Sequence, residues 1–437
     1  MRKKSLLLCI LITGLFLATV ASATQVEFSS TLNPVGSGAR ATGMGGAFIG
    51  VADDATAASW NPAGLIQLEK PELSLVYSAL QREQTYHTTL HPEMNGNDAI
   101  NTDGINYASF AYPFIAFSRN MIVSLNYQQL YQMNKRVSFN YRWDLGGGDY
   151  TNDTIRFYQK GHLYALSPAF AVQIRPGLSV GATLNIWRNI LGQNGWDNSY
   201  RSKGIGTAQG NSITETFILQ NSFDIEGFNA NMGALWNITD TVVVGCVFKT
   251  AFDAKLRHSQ SVYRYQDIGG TISTAPPAET SDNMVMKMPA SFGLGFQYRR
   301  SDKLTFAIDA YRTQWSRFLI RDAAGNEFNP QDSAMLSEGR LSDTMQFRFG
   351  AEYLIIGNSN TIALRAGLFS DPEPSKGKVD NYAGISLGTG YSTPKFAFDA
   401  SYQYRWGVNV DGDIAAVQRE SMDIKQQTVM VSGIYYF

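Results

Sequence analysis

Few side chains in this 437-residue sequence are spaced for catalysis or metal binding. His87 and His91 lie four residues apart, but a Pro-Glu pair follows directly and predicts a loop, not a helix that could present both rings to a metal. His162 lies among apolar neighbours, and no serine and acid stand beside it as a catalytic triad requires. We therefore predict that the protein is not an enzyme and holds no metal or cofactor.

The glycines and cysteines do not indicate a nucleotide site, a zinc site or a disulfide. Gly43 and Gly45 are followed directly by Gly46, so their spacing differs from the GxGxxG fingerprint, and no βαβ pattern surrounds them. Cys9 lies in an apolar N-terminal segment, which leaves Cys246 as the one cysteine of the remaining sequence. A single cysteine forms neither an intramolecular disulfide nor a cysteine zinc site.

Three arginines are candidates for binding an anionic group. Arg348, Arg365 and Arg405 each lie on the polar face of a segment in which polar and apolar residues alternate. If these faces line an interior, the arginines could hold the carboxylate of a ligand, or each could pair with an acidic side chain of the protein. The acidic residues on the same kind of face are Asp309, Glu352 and Asp399.

Residues 1–23 are typical of a secretory signal peptide. Arg2, Lys3 and Lys4 precede an apolar stretch that ends at Ala21-Ser22-Ala23, a small-residue cleavage pattern. A membrane anchor is less consistent with so short a stretch, so we expect the mature chain to begin near Thr24. Removing three of the 36 basic residues leaves 33 against 37 acidic ones, a balance that argues against a nucleic-acid partner.

The rest of the chain predicts strands that cross a membrane. It is rich in aromatic residues, only 17% of all residues are charged, and no apolar run is long enough for a transmembrane helix. In residues 395–406, Phe398, Tyr402 and Trp406 share one face, while Asp399 and the other polar residues occupy the opposite face. The sequence also ends on an aromatic residue, Phe437. Together these features favour an antiparallel β-barrel of the outer membrane.

The connections between strands support the same fold. Short, turn-forming links such as Pro176-Gly177 alternate with long loops, which is the topology of such barrels. The predicted long loops are 81–104, 144–154, 191–212, 266–284, 321–342 and 408–423. The pattern predicts about fourteen strands, with twelve or sixteen as alternatives, near 72–80, 105–118, 120–143, 155–175, 178–190, 213–237, 241–265, 285–299, 303–320, 343–356, 360–370, 379–391, 395–407 and 424–437.

Residues 24–70 precede the predicted barrel of residues 71–437 and are too few to bury a core of their own. Their apolar clusters argue against disorder, so we predict a hatch folded inside the barrel, where glycine and alanine allow close backbone packing. Asp53 and Asp54 are placed to cap a short helix over residues 55–59, which Asn61-Pro62 would end.

The segment GARATGMGGAFIGVADDATAASWNPAGL, residues 38–65, resembles the N-terminal signature of the FadL/TodX (OMPP1) family of outer-membrane transporters of hydrophobic compounds. Asn61, Pro62 and Ala63 match the NPA motif of the family's hatch, which also contains Gly43, Gly45 and Gly46. Later segments agree in order, including KMPASFGLGFQYR at 287–299, the W-S-x-F element at 315–318 and LRAGLFSDPEP at 364–374. Barrels of the PorV type, which serve protein secretion, carry related glycine-rich stretches, but these later elements favour the transporter family.

The resemblance implies a fourteen-stranded barrel with a plug. It also implies capture of a hydrophobic small molecule by external loops, binding in the lumen, and release sideways into the lipid of the outer membrane through a kink in the wall. Phe28 is then the candidate hatch residue that touches the ligand. Pro113 and Pro168 are candidates for the kink, because each removes a hydrogen-bond donor from a strand. The expected cargo is long-chain fatty acids; aromatic or alkane hydrocarbons, or a PorV-like secretion role, are the alternatives.

Overall fold

The computed structural model describes residues 36–89, 91–208, 210–331, 335–411 and 421–437, and 73% of it is β-strand. Phe28 and the predicted signal peptide lie outside the described residues. The strands are β1 Glu72–His87, β2 Gly96–Ala116, β3 Arg119–Gln132, β4 Lys135–Gly146, β5 Asp149–Arg175, β6 Leu178–Trp187, β7 Gly195–Ala208, β8 Asn211–Asn237, β9 Val242–Lys249, β10 Phe252–Ile268, β11 Thr271–Met288, β12 Ser291–Ser301, β13 Leu304–Thr313, β14 Leu319–Arg321, β15 Glu327–Phe328, β16 Thr344–Ile356, β17 Thr361–Ser370, β18 Glu373–Ser375, β19 Lys378–Asp380, β20 Tyr382–Ser392, β21 Phe396–Val410 and β22 Ser421–Tyr436.

Fourteen of these strands close into one antiparallel ring, which confirms the predicted barrel and its strand count. Around the ring the order is β1, β2, β3, β5, β6, β8, β9, β12, β13, β16, β17, β20, β21 and β22. β22 pairs back onto β1 from Glu72 opposite Tyr436 to His87 opposite Ser421, so the ring has no free edge there. The predicted short links form tight turns at one rim, and Phe117 and Ser118 take left-handed conformations suited to a two-residue hairpin.

The alternation of side chains around the ring is also confirmed. On β21, Phe398 and Tyr402 are exposed on the outer face, whereas Ser401 and Arg405 are buried in the bore. β17 shows the same pattern, with Leu364 and Leu368 outside. These outward apolar side chains form the surface that lipid would cover.

The prediction of irregular loops is wrong for several segments. These segments form long β-hairpins that extend beyond the ring. The segments 81–104, 191–212 and 266–284 are mostly extended, and the hairpins β4–β5, β7–β8 and β10–β11 join side by side into one continuous sheet. We name this the external sheet. Its outer parts lack a membrane-facing apolar row, which is why the sequence pattern suggested loops, but neighbouring strands still satisfy their backbone groups.

Four predicted strands are interrupted where the ring meets the external sheet. Segment 120–143 divides into β3 and β4, 241–265 into β9 and β10, and 285–299 contains a break at Pro289 between β11 and β12. In 303–320 a 3₁₀ turn, Trp315–Arg317, separates β13 from β14. In the sequence, polar and apolar residues continue to alternate across each break. The pattern therefore does not show where one strand ends and the next begins.

Residues 36–70 lie inside the ring. They form two short helices, α1 Ala39–Gly43 and α2 Ala57–Trp60, followed by the 3₁₀ helix Pro62–Gln67. Asp54 accepts hydrogen bonds from the Thr56 amide and hydroxyl at the start of α2, and burial raises the pKa of the Asp54 carboxyl. We call residues 36–70 the hatch. No helix in the described part of the chain is long and apolar enough to span a membrane. The remaining 3₁₀ helices are Pro92–Met94 and Leu336–Glu338.

Candidate ligand path through the barrel

Wall glycines allow the hatch to lie directly against the inner surface of the barrel. A Cβ atom on Gly233 would lie 2.0 Å from Asn61 Oδ1, and one on Gly367 would lie 2.1 Å from the Gly45 amide nitrogen. Six of these glycines are paired directly across neighbouring strands, as Gly350 with Gly367, Gly181 with Gly233 and Gly245 with Gly295. Each pair therefore lies at one height along the barrel axis. We call this set the glycine belt; its members are Gly181, Gly233, Gly245, Gly295, Gly350, Gly367 and Gly388.

Polar wall side chains then fix the hatch in place. Asp309 accepts hydrogen bonds from the amides of Phe48 and Ile49, at 2.6 and 2.8 Å. The Asn61 amide donates to the carbonyls of Ile49 and Ala234, each at 3.0 Å, and so joins two parts of the hatch to β8. The bonds to Phe48 and Ile49 satisfy backbone groups that lie outside any helix or strand.

The predicted hatch motif residues make the closest approaches to the wall. A Cβ on Gly43 would lie 3.0 Å from Gly388 Cα, and Ser386 accepts a hydrogen bond from the Gly45 amide at 2.8 Å. Gly45 and Gly46 have φ angles of 68° and 74°, which other residue types rarely adopt. Pro62 lies against Gly181, and the carbonyl of Ala63 accepts a hydrogen bond from Ser179 at 3.0 Å.

Two of the three predicted ligand-binding arginines are held between acidic side chains. Arg365 contacts Glu352 at 2.6 Å and Asp399 at 2.7 Å, and Glu352 also binds Arg40 of the hatch at 2.9 Å. Arg40 in turn contacts Asp53 at 2.6 Å. This chain of ion pairs fastens α1 to β16, β17 and β21.

Arg405 is buried between Asp371, at 3.1 Å, and Glu373, at 2.8 Å, and its guanidinium lies 3.8 Å from the centre of the Tyr382 ring. Each arginine is balanced by two carboxylates, which stabilise its charge without a ligand, although Nε and Nη1 of Arg405 have no hydrogen-bond partner among the described residues. The geometry therefore favours the pairing alternative for Arg365 and Arg405.

Arg348 differs, because it lines a lumenal cavity. Its Nη1 donates to the Gly45 carbonyl at 3.0 Å and its Nη2 lies 3.6 Å from Asp371, while its buried Nε has no hydrogen-bond partner among the described residues. The cavity has a volume of ≈ 140 Å³ and extends from above the hatch to the wall at β1, β2 and β3. Among the three arginines, Arg348 is the best-placed candidate for a ligand contact.

The cavity reaches a place where two wall strands separate. β2 and β3 pair from Ala116 opposite Arg119 up to Tyr107 opposite Gln128, and beyond that point they are not paired. Residues 96–105 pair only with β1, and residues 129, 131 and 132 pair only with β5. We call this unpaired segment the wall gap. Its cavity-lining residues are Thr102, Gly104, Asn106, Gln129, Leu130 and Gln132.

Side chains bridge the wall gap in place of the missing ladder. The Asn106 amide donates to the Gln129 carbonyl at 3.2 Å, and the Thr102 hydroxyl donates to Gln132 at 3.1 Å. Asn106 and Leu130 are bulge residues, one in β2 and one in β3. Bulges bend strands and end pairing, so this pair of bulges accounts for the separation.

A second cavity, of ≈ 60 Å³, lies beneath the four strand breaks. Trp187, Phe252, Met288 and Trp315 are among its lining residues, and Leu130 and Lys249 line both cavities. It adjoins a large apolar cluster between the ring and the external sheet, whose members include Met133, Trp196, Phe223, Met284, Met286, Phe318 and Ile320. We call this the upper cluster; Trp187, Met288 and Trp315 belong both to it and to the lining of the second cavity.

Lys249 was not found by sequence reasoning. Its amine lies 5.6 Å from the centre of the Tyr311 ring. The only sequence signal is a cation at the end of an apolar strand, just before the break that separates β9 from β10.

The two prolines lie elsewhere in the wall. Pro113 pairs with Ile122 on β3 but lies beyond the end of β1, near the rim with the short turns. Pro168 faces Leu125 on β3, and on its other side the pairing of β5 with β6 is interrupted at residues 167–168. Neither proline forms the wall gap, where glycine, asparagine and glutamine occur instead. Among the described residues, no group of three or more His, Cys, Asp or Glu side chains is placed to hold a metal ion.

Comparisons with known proteins agree with this architecture. Solved structures with similar folds include the CymD monoaromatic hydrocarbon channel, with 17% identity, 93% of this chain and 98% of that chain covered, and a TM-score of 0.56. The P. putida toluene transporter TodX gives 15% identity, 93% and 99% coverage and a TM-score of 0.58. The Ralstonia pickettii toluene transporter TbuX is 13% identical, with 93% of this chain and 99% of that chain covered, and has a TM-score of 0.52. At these identities the likeness concerns the fold.

The sequence matches the family described as outer membrane protein transport protein (OMPP1/FadL/TodX) over residues 15–432. No curated protein is similar enough in sequence to count as a match. The family consists of transport channels and not of enzymes. The chain therefore belongs to the OMPP1/FadL/TodX family, as an outer-membrane β-barrel channel for hydrophobic compounds.

Proposed function

We propose that the protein takes up long-chain fatty acids, or molecules of comparable hydrophobicity, through the outer membrane. The supporting observation is that Leu130 and Lys249 line both lumenal cavities, and that residues of the wall gap line the larger one. A molecule could pass from the upper cluster into the lumen and then sideways into lipid. The hatch would block the direct route through the bore.

The smaller cavity offers aromatic surfaces to an apolar tail, while the larger cavity is lined mainly by polar side chains and contains a cation for an anionic head. Each methylene that leaves water for the aromatic surfaces of Trp187, Phe252 and Trp315 is worth about 0.8 kcal/mol. Lys249 lies beside these surfaces, and Arg348 lines the far side of the larger cavity. A hydrogen bond between a carboxylate and such a cation contributes about 1.5–3 kcal/mol.

Uptake of labelled oleate by cells that produce the protein tests the proposal directly. We expect uptake above that of cells carrying an empty vector. Uptake no higher than the vector control, with the protein present and folded in the outer membrane, would show that long-chain fatty acids are the wrong cargo. Stable co-purification with a secreted protein would instead favour a secretion role.

A neutral monoaromatic hydrocarbon is the second candidate. The volume of the larger cavity, ≈ 140 Å³, is close to that of an apolar cavity of about 150 Å³ that binds benzene, although polar side chains form most of the lining here; a long acyl chain would have to occupy both cavities. Structures with similar folds also include channels named for toluene and monoaromatic hydrocarbons. Toluene uptake that exceeds oleate uptake would favour this candidate.

Replacing Lys249 with glutamine separates the two candidates. If the ligand carries a carboxylate, Lys249→Gln should weaken oleate binding by about tenfold or more, since a charge-assisted hydrogen bond is lost, and should leave toluene binding unchanged. Binding to the purified protein can be measured by competition with a fluorescent fatty acid. Lys255→Gln is the matched control, because Lys255 is an exposed lysine at the start of β10. Equal oleate affinity in wild type and Lys249→Gln would argue against the anionic-head interaction.

A further inference from the structure

The outward face of the external sheet carries a group of exposed cations. The opposite face is apolar, and there Phe139, Phe157 and Tyr200 pack against apolar side chains of β1, β21 and β22. Because successive side chains of a strand alternate, the residues between them point away from the bore. On three neighbouring strands these residues include four exposed cations, which we call the basic patch: Arg136 on β4, Arg156 on β5, and Arg201 and Lys203 on β7.

Strand pairing holds the four cations close together. Arg156 lies directly opposite Arg201, so their Cα atoms are about 4.5–5.5 Å apart. Arg136 and Lys203 are diagonal neighbours of Arg156 on the two adjacent strands, at about 7–8 Å. Like charges directly opposite each other destabilise a sheet, and a bound anion would remove this repulsion.

Acidic side chains of the protein do not neutralise the patch. In the part of the chain that the structure describes, none of its four cations forms a salt bridge, whereas Arg257 on the same outward face pairs with Glu226 at 2.7 Å. Asp197, also on this face, lies opposite Lys160 instead. The whole chain has a formal net charge of −1, so the positive charge is a local feature that favours an anionic partner.

The basic patch lies above the lipid-facing wall. Leu125 on β3 and Phe170 on β5 are exposed on the outer face, and Tyr127 and Tyr164 follow them, with ring centres 5.4 Å apart. Such aromatic residues mark the membrane interface. Arg156 is further out on β5, by about 26 Å of strand or about 20 Å in height at a tilt of about 40°. Phospholipid head groups occupy only about 5–8 Å beyond the hydrocarbon core, so a lipid that reaches the patch needs a larger head group.

We propose that the basic patch binds the phosphorylated sugars of an anionic glycolipid in the outer leaflet of the outer membrane. Arginine donates paired hydrogen bonds to phosphate, which suits the opposed Arg156 and Arg201. Tyr158, which is 52% exposed and lies opposite Arg136, adds a ring and a hydroxyl among the cations. The glycolipid would relieve the repulsion within the patch and hold the external sheet at the membrane surface, on the face opposite to the ligand path.

Binding of fluorescent lipopolysaccharide to the purified full-length protein in detergent tests the proposal. The double variant Arg156→Gln/Arg201→Gln should weaken binding by about tenfold or more, because charge-assisted hydrogen bonds to phosphate are lost. Arg299→Gln/Arg300→Gln is the matched control, since it removes the same charge from exposed arginines at the rim with the short turns. Lipopolysaccharide without its phosphates should bind the wild type about as weakly as intact lipopolysaccharide binds the double variant.

Thermal unfolding distinguishes loss of the site from loss of the fold. Without glycolipid, the double variant should be at least as stable as wild type, because two opposed like charges are removed. Lipopolysaccharide should raise the melting temperature of wild type and of the control variant more than that of the double variant.

Three results would overturn the proposal. The first is equal lipopolysaccharide affinity in wild type and the double variant, or equal affinity of wild type for the intact and the dephosphorylated glycolipid. The second is displacement of lipopolysaccharide by an equal concentration of inorganic phosphate, which would indicate a site for a free anion. The third is weaker oleate binding by the double variant with unchanged lipopolysaccharide binding, which would assign the patch to the transported molecule.

Discussion

Replacing Leu130 with tryptophan should reduce uptake of the transported molecule about tenfold or more while the barrel still assembles. Leu130 is the bulge residue of β3 and lines both cavities, so a larger side chain there would close the connection between them. If the ligand has to displace the larger ring at a cost of about 1–3 kcal/mol, occupancy of the path falls about 5- to 150-fold. The measurement is the initial rate of labelled oleate or toluene uptake.

Leu125→Trp on the same strand is the matched control for this prediction. Leu125 is 57% exposed on the outer face, so the same substitution there places the ring towards lipid and should leave uptake unchanged. Leu130→Ala should not reduce uptake, because it widens the junction. If Leu130→Trp transports at the wild-type rate, the ligand does not pass between the two cavities.

Replacing Gly367 with valine should displace the hatch and open the bore to water. A Cβ there would lie 2.1 Å from the Gly45 nitrogen and 2.5 Å from the Gly45 Cα, both backbone atoms that no side-chain rotation can move. Because Gly45 is anchored to Ser386 and Arg348, the shift would break those hydrogen bonds as well. A loss of about 3 kcal/mol or more in hatch packing is expected from such a clash.

Two measurements report on the hatch. Purified Gly367→Val should conduct ions in planar bilayers where wild type does not, and cells that produce it should become sensitive to large hydrophilic antibiotics. Gly433→Val is the control: its Cβ would lie 3.5 Å from the Phe398 ring, an ordinary contact on a strand outside the glycine belt. A closed Gly367→Val channel with wild-type stability would show that the belt does not determine the position of the hatch.

The alternation of polar and apolar residues predicted the faces of some strands correctly but did not predict where strands break. Segment 395–406 gave the correct inside and outside faces of β21, because successive side chains of a strand point in opposite directions whatever its neighbours are. In 120–143 the same alternation continued across the break between β3 and β4 and hid it. The external sheet was missed for a related reason, since polar strands lack the apolar row that marks a membrane span.

The candidate site was only partly predictable. Alternation correctly directed Arg348, Arg365 and Arg405 into the bore, but it could not show that Arg365 and Arg405 meet two carboxylates each. Those partners come from other strands and from the β17–β20 connection. The prolines suggested an interruption of the wall, yet the wall gap depends on bulges at Asn106 and Leu130, which have no strong sequence signal.

The sequence by itself determined the barrel, its fourteen strands and a glycine-rich hatch, because side-chain alternation, turn residues and close-packing glycines act over a few neighbouring residues. The tertiary structure alone decided which wall glycines meet the hatch, where β2 and β3 separate, and that Lys249 lies between two cavities. These features depend on which strands face each other across the bore and on the course of the hatch inside it. Contacts between residues hundreds of positions apart are set by ring closure, and a local pattern carries no information about them.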